Sequence, residues 1–118
     1  MYDQLPPNLV DKTGKLTTTR EVLKDKKVVA FYFSAHWCPP CRLFTPILAE
    51  FYSDLVTTAG EPFEIVFVSS DKTPEDMMTY MKESHGEWLA VQHATNLAQQ
   101  LKKKYEISGI PSLIVVTR

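Results

Sequence analysis

The stretch Val28-Val29-Ala30-Phe31-Tyr32-Phe33-Ser34-Ala35-His36-Trp37-Cys38-Pro39-Pro40-Cys41-Arg42 decides how the chain is read. Its first half, Val28 to Ser34, is a continuous apolar run, the pattern of a strand buried on both faces of a sheet. Beyond the cysteines the period changes. Leu43, Ile47, Phe51 and Leu55 recur every fourth residue, flanked by Phe44, Leu48 and Tyr52, which predicts a helix. Pro46 lies inside that helix and is expected to kink it. Both of the protein's cysteines therefore sit where a strand turns into a helix, three residues apart. A dithiol in that place opens and closes reversibly, so thiol–disulfide chemistry is the leading expectation.

The two sulfurs are not equivalent on this reading. Cys38 falls at or just before the first helical turn, where free backbone N–H groups and the positive helix end favour an anion. No acidic residue lies within four positions of it, and Arg42 adds a positive charge. Cys38 is thus expected to ionise well below a free cysteine and to be the attacking thiolate. Cys41 lies one turn further on the same helical face, more buried, and is expected to resolve the mixed disulfide. Pro39 and Pro40 remove two backbone donors, which weakens the anion site slightly, and fix φ, which keeps the sulfurs close. Two other readings exist for such a pair. It is half of a zinc site, but only His36, His85 and His93 are left as further ligands, so no metal is expected. It is a static disulfide, but so short a loop constrains the unfolded chain little.

Outward from this centre the chain alternates strand and helix. Phe63 to Val68 is a second buried strand, and the strand–helix–strand unit predicts parallel pairing with a right-handed crossover. Thr73-Pro74-Glu75-Asp76 opens a helix to about Lys82, with a capping residue, a first-turn proline and two acids. Trp88 to Val91 is a short apolar insertion, Thr95 to Tyr105 a further helix, and Leu113 to Val116 a third core strand. Nearer the start, Leu9-Val10 and Lys15-Leu16 flank Asp11-Lys12-Thr13-Gly14 as a small hairpin. Thr18-Thr19-Arg20-Glu21 reads as a capping box for a short helix ending at Leu23. The order predicts a sheet covered on both sides.

Size and charge narrow the function. With 118 residues the chain is expected to be one domain, 1–118, with residues 1–8 flexible. A net charge of −1 argues against nucleic acid or an anionic membrane as partner. No apolar run approaches a membrane span, and the first residues, Met1 to Pro7, do not read as a secretory signal. Two cysteines confined to one motif suit a reducing compartment, so the cytoplasm is the expected location, with the nucleus second.

The chain resembles the thioredoxin superfamily, and within it the tryparedoxin and nucleoredoxin branch. The resemblance is carried by Phe31 to Arg42 with its Trp-Cys-Pro-Pro-Cys core, by Phe44-Thr45-Pro46 and Phe51-Tyr52, by Val66 to Asp71, and by Trp88-Leu89-Ala90. Ile110-Pro111 stands in the place of that superfamily's cis-proline, and the likeness runs over about residues 9–117. It implies an α/β, three-layer fold with a central mixed sheet flanked by helices. It also implies that the chain stops before the last edge strand and C-terminal helix. Cys38 resembles the attacking cysteine and Cys41 the resolving one. Trp37 resembles the aromatic that shields the disulfide and meets the partner. Pro111 would present the backbone around Ile110 to an extended substrate. Where thioredoxins bury an acid six residues before the first cysteine, this chain has Tyr32, so Asp71, Glu75 or water is left to take the proton from Cys41.

The implied activity is reduction of protein disulfides, with disulfide-containing proteins and a dithiol electron donor as partners. No bound cofactor is required, because the sulfurs carry both electrons. A monomer is expected, with a dimer through the exposed edge as the variant. The rival function is a nucleoredoxin-like redox regulator, or a trophic or signalling module that binds with little turnover. Of the remaining residues, His85 and His93 read as surface or loop histidines and His36 as an exposed neighbour of the site. Met77, Met78 and Met81 read as core, Trp88 as an aromatic anchor beside the site, and Lys102-Lys103-Lys104 as a solvated face near a helix C-terminus, with docking of an acidic partner as the alternative.

Overall fold

In the computed structural model, which describes residues 7–93 and 97–117, the apolar run becomes strand β3 (Val28–Ser34). It lies between β4 (Phe63–Ser69) on one side and β6 (Ser112–Thr117) on the other. The β3–β4 pair is parallel and runs in register from Val28–Phe63 to Ser34–Ser69, as the helical crossover requires. β6 pairs antiparallel to β3, from Val28–Thr117 to Phe33–Ser112. The hairpin β1 (Asn8–Val10) and β2 (Leu16–Thr18) joins through β5 (Leu89–Ala90), giving a six-stranded mixed sheet of order β2-β1-β5-β4-β3-β6. Residues 1–6 of the flexible start expected over 1–8 lie outside the described residues, whereas Asn8 already pairs with Thr18.

Strand alternation sorts the core into two layers. Ala30 and Tyr32 of β3, with Ile65 and Phe67 of β4, face α2 (Pro39–Tyr52) and α3 (Pro74–Ser84). Val29, Phe31 and Phe33, with Val66 and Val68, face α1 (Thr19–Leu23) and α4 (Leu97–Lys104). The start expected for α4, at Thr95, lies outside the described residues. Met77 and Met81 are core, and Met78 packs against it half-buried. Thr73 caps α3 through its hydroxyl, which accepts from Asp76 N–H at 3.1 Å.

One local expectation is corrected. Thr18 occupies the N-cap of α1 but makes no side-chain cap bond; the Thr19 N–H donates instead to the Pro7 carbonyl at 2.9 Å. α2 contains Pro46, as read from the sequence, and ends in a π turn over Ser53–Thr58. Its buried face is Cys41, Thr45, Leu48 and Tyr52, while Leu43, Ile47 and Phe51 are 77%, 64% and 50% exposed. The helix is phased by Cys41 and by the Thr45 hydroxyl, whose side-chain partners are Tyr32 on β3 and Tyr80 on α3. That rotation turns the longest apolar stripe toward water.

Trp88 is fully buried, its indole N–H donating to His85 Nδ1 at 2.9 Å. Its ring meets Tyr52 edge-on, with centroids 5.4 Å apart. Gly86 makes room for it, since a Cβ there would stand 2.9 Å from the indole. His85 is therefore a buried residue of the loop that follows α3, which corrects the surface half of the reading and keeps the loop half. Burial, chiefly, holds its pKa down to about 3. Because Nδ1 accepts from Trp88, the neutral ring carries its proton on Nε2. That buried nitrogen has no hydrogen-bond partner among the described residues, and the imidazole stands edge-on to the rings of Phe67 and Tyr80, with centroids 4.3 and 4.4 Å apart.

Candidate active site

Cys38 is the N-cap of α2, with Pro39 and Pro40 in the first turn, where absent N–H groups break no helical bond. Cys38 and Cys41 form a disulfide with Cα atoms 5.2 Å apart. The Cys41 N–H points at Cys38 Sγ at 3.4 Å, so the capping group of this helix is a sulfur. A thiolate at that atom would receive the same bond and the positive helix end. Both cysteines are buried, Cys41 completely and Cys38 to 4% exposure. Arg42 is exposed one position beyond Cys41.

The sulfur that reaches outward is Cys38. Its Sγ lies 3.8 Å from the carbonyl oxygen of Ile110, an acceptor for the thiol in the reduced state. The Ile110–Pro111 bond is cis, and Ile110 packs on the cluster of Ala35, Cys38 and Cys41. The structure thus brings together Trp37, Cys38, Cys41, Ile110 and Pro111 from three distant parts of the chain.

The loop carrying Trp37 is tied to the end of β4. The indole N–H donates to the Ser70 carbonyl at 3.0 Å, leaving the ring 56% exposed beside the disulfide. Asp71 is buried and holds the same loop. Its Oδ1 accepts from the His36 N–H at 2.7 Å and its Oδ2 from the Ser69 hydroxyl at 2.7 Å. His36 is half-buried, with its ring 2.8 Å from Glu83, and His93 reaches the Asp71 carbonyl at 2.7 Å. All three histidines weighed as zinc ligands are therefore engaged elsewhere. Glu75, the other acid considered for proton transfer, is exposed in the first turn of α3.

Tyr32 stands where the resemblance places an acid, and it belongs to a hydroxyl network not foreseen from the sequence. Thr45 Oγ1 donates to the Cys41 carbonyl at 2.8 Å. Its one proton is thereby used, so the phenols of Tyr32, at 2.6 Å, and Tyr80 must both donate to it. Tyr80 then has only acceptor capacity left, and the Ser34 hydroxyl donates to it at 2.6 Å. Burial, chiefly, pushes the Tyr80 phenol up to about 12, so it stays a donor at neutral pH. Every group in this buried chain is satisfied, and the chain ends on the backbone of the resolving cysteine. Tyr80 shares the buried face of α3 with Met77 and Met81.

A disulfide at the mouth of a helix, faced by a cis-proline loop on a mixed sheet, defines a dithiol–disulfide redox protein of thioredoxin fold. The chain belongs to the thioredoxin-like family, whose sequence profile matches residues 25–118. It is similar to nucleoredoxin of Mus musculus, 46% identical over 89 residues that cover 75% of this chain and 20% of that protein. It is also similar to tryparedoxin of Trypanosoma brucei brucei, 38% identical over 112 residues covering 92% of this chain and 72% of that one. The solved thioredoxin structure from Wuchereria bancrofti superposes with a TM-score of 0.87 at 51% identity, over 93% of this chain and 74% of its own. The chain spans about a fifth of the length of the nucleoredoxins it matches.

Proposed function

We propose that the chain reduces protein disulfides by cycling between the Cys38–Cys41 disulfide and its dithiol. One observation carries this: the capping sulfur of α2 is also the sulfur that meets the Ile110 carbonyl at the cis-proline loop. In the reduced state the Cys38 thiolate attacks a substrate disulfide, forms a mixed disulfide and expels one substrate thiolate. Cys41, deprotonated, then attacks Cys38 Sγ, closes the internal disulfide and expels the second thiolate. Two electrons and two protons pass to the substrate. A dithiol donor restores the starting state by the reverse exchange. The reaction uses no bound cofactor, and the cytoplasm or nucleus, where thiols stay reduced, suits it. A monomer suffices, because both sulfurs and the loop facing them come from one chain.

Insulin reduction driven by dithiothreitol tests the proposal. The wild type should accelerate precipitation of insulin chains, and Cys38→Ser should run at the uncatalysed rate. Cys41→Ser should hold a substrate as a mixed disulfide on Cys38. Equal turnover by wild type and Cys38→Ser would end the enzymatic reading. A second reading, a redox-regulated binding module, draws support from the exposed Leu43, Ile47 and Phe51 on the helix that carries the dithiol.

A further inference from the structure

The three lysines at the end of α4 are not alike. Leu101 is buried and sets the phase of the helix. Lys103 and Lys104 project into water, but Lys102 is half-buried. It lines a groove of about 210 Å³ together with Trp37, Ser70, Ile107 and the Ser108-Gly109-Ile110 backbone. Trp37, Ile107 and Ile110 make its walls apolar, so among the described residues Lys102 is the only charged residue lining it. Among the described residues no carboxylate pairs with Lys102. Burial draws its ammonium below the usual lysine range.

The groove begins at the reacting sulfur. Ile110, one of its walls, places its carbonyl 3.8 Å from Cys38 Sγ. Trp37, the opposite wall, is fixed by its bond to Ser70, whose hydroxyl is buried without a partner among the described residues. A residue next to a target cysteine held at Cys38 therefore enters beside Lys102. Across the dithiol loop the charges are mixed, with Glu83 against His36, Glu75 and Asp76 on the exposed first turn of α3, and the exposed Lys72 and Lys82 near its two ends. An acidic side chain in the groove meets the cation of Lys102. A partly desolvated cation without a counter-ion gains more from a carboxylate than one fully in water.

We infer that this groove is a specificity subsite, in which Lys102 selects disulfide substrates bearing an aspartate or glutamate beside the attacked cysteine. The inference rests on the proposed reductase activity and names its substrate class. The test uses three disulfide peptides that differ only by Glu, Gln or Lys next to the cysteine, with turnover driven by dithiothreitol. The wild type should favour the Glu peptide over the Gln peptide by about fivefold in kcat/KM, and less at high salt. Lys102→Met, which keeps the packed stem, should bring that ratio to one. Lys102→Arg should keep the preference, Lys103→Met should leave it intact, and Lys102→Glu should turn it toward the Lys peptide. Equal ratios in wild type and Lys102→Met, with turnover intact, overturn the subsite and leave the reductase standing. Failure of the wild type to reduce any of the three removes both.

Discussion

The two faces of the sheet are built differently. The face under α1 and α4 is an apolar layer of Leu9, Leu23, Val29, Phe31, Phe33, Val66, Val68, Val91 and Leu101. The face under α2 and α3 mixes apolar bulk with buried polar groups: Tyr32, Ser34, Thr45, Tyr80 and His85. Apolar packing is non-directional and stabilises through area removed from water. A hydroxyl network is directional, and each member fixes the distance to the next. The directional layer lies beneath the helix that presents the cysteines. The comparison assigns stability mainly to one face and placement of the dithiol mainly to the other.

The largest effect should come from the apolar face. Phe31→Ala leaves a cavity at a nearly fully buried site and should cost about 3–5 kcal/mol in urea unfolding, with unchanged thiol reactivity in the molecules that remain folded. Next is the acid sensitivity of the other face. The native His85 binds its proton only near pH 3, whereas the unfolded state binds it below 6.5. Stability from this group is complete above pH 6.5 and is lost as pH falls toward 3. Between pH 6.5 and 4 the loss should be about 3 kcal/mol, and His85→Gln should flatten that part of the profile. Glu64 acts in the opposite direction. Burial raises its pKa, so the native state takes up its proton first and gains stability on acidification. The difference between wild type and His85→Gln therefore isolates the histidine.

Tyr80→Phe should cost less, about 1–2 kcal/mol, because it strips Ser34 of its acceptor and Thr45 of one donor. It should also shift the Cys38–Cys41 equilibrium against a glutathione buffer, which a purely structural role would not do. The smallest effect is expected from Leu101→Met, a volume-conserving swap on the apolar face. It should cost about 1 kcal/mol or less in the same urea titration and leave that equilibrium unmoved. If Leu101→Met shifts the thiol equilibrium as far as Tyr80→Phe does, the division of labour between the faces is wrong.

The sheet's centre was legible because β3 and β4 are apolar on both faces, a pattern that needs no partner to be recognised. The placement of Cys38 at a helix start was legible for the same local reason. The phase of α2 was not. Leu43, Ile47 and Phe51 keep perfect helical spacing, yet Thr45, a residue that hydropathy ranks as polar, faces inward because its hydroxyl has partners there. His85 was misplaced similarly, since burial of a histidine depends on a tryptophan that packs beside it three residues later. Lys102 could not be separated from Lys103 and Lys104 by sequence, because only the path of the 107–110 backbone brings one of them beside Trp37.

Gly86 adds a consequence that reaches well beyond its own turn. A single methyl at that position would act as a wedge against the indole of Trp88. The indole holds His85 by its N–H and leans edge-on against Tyr32 and Tyr52, so the push would travel along both neighbours. Tyr32 carries it to Thr45, and Thr45 to the carbonyl of Cys41. The smallest residue in the protein is thus one end of a mechanical linkage whose other end is a sulfur-bearing turn.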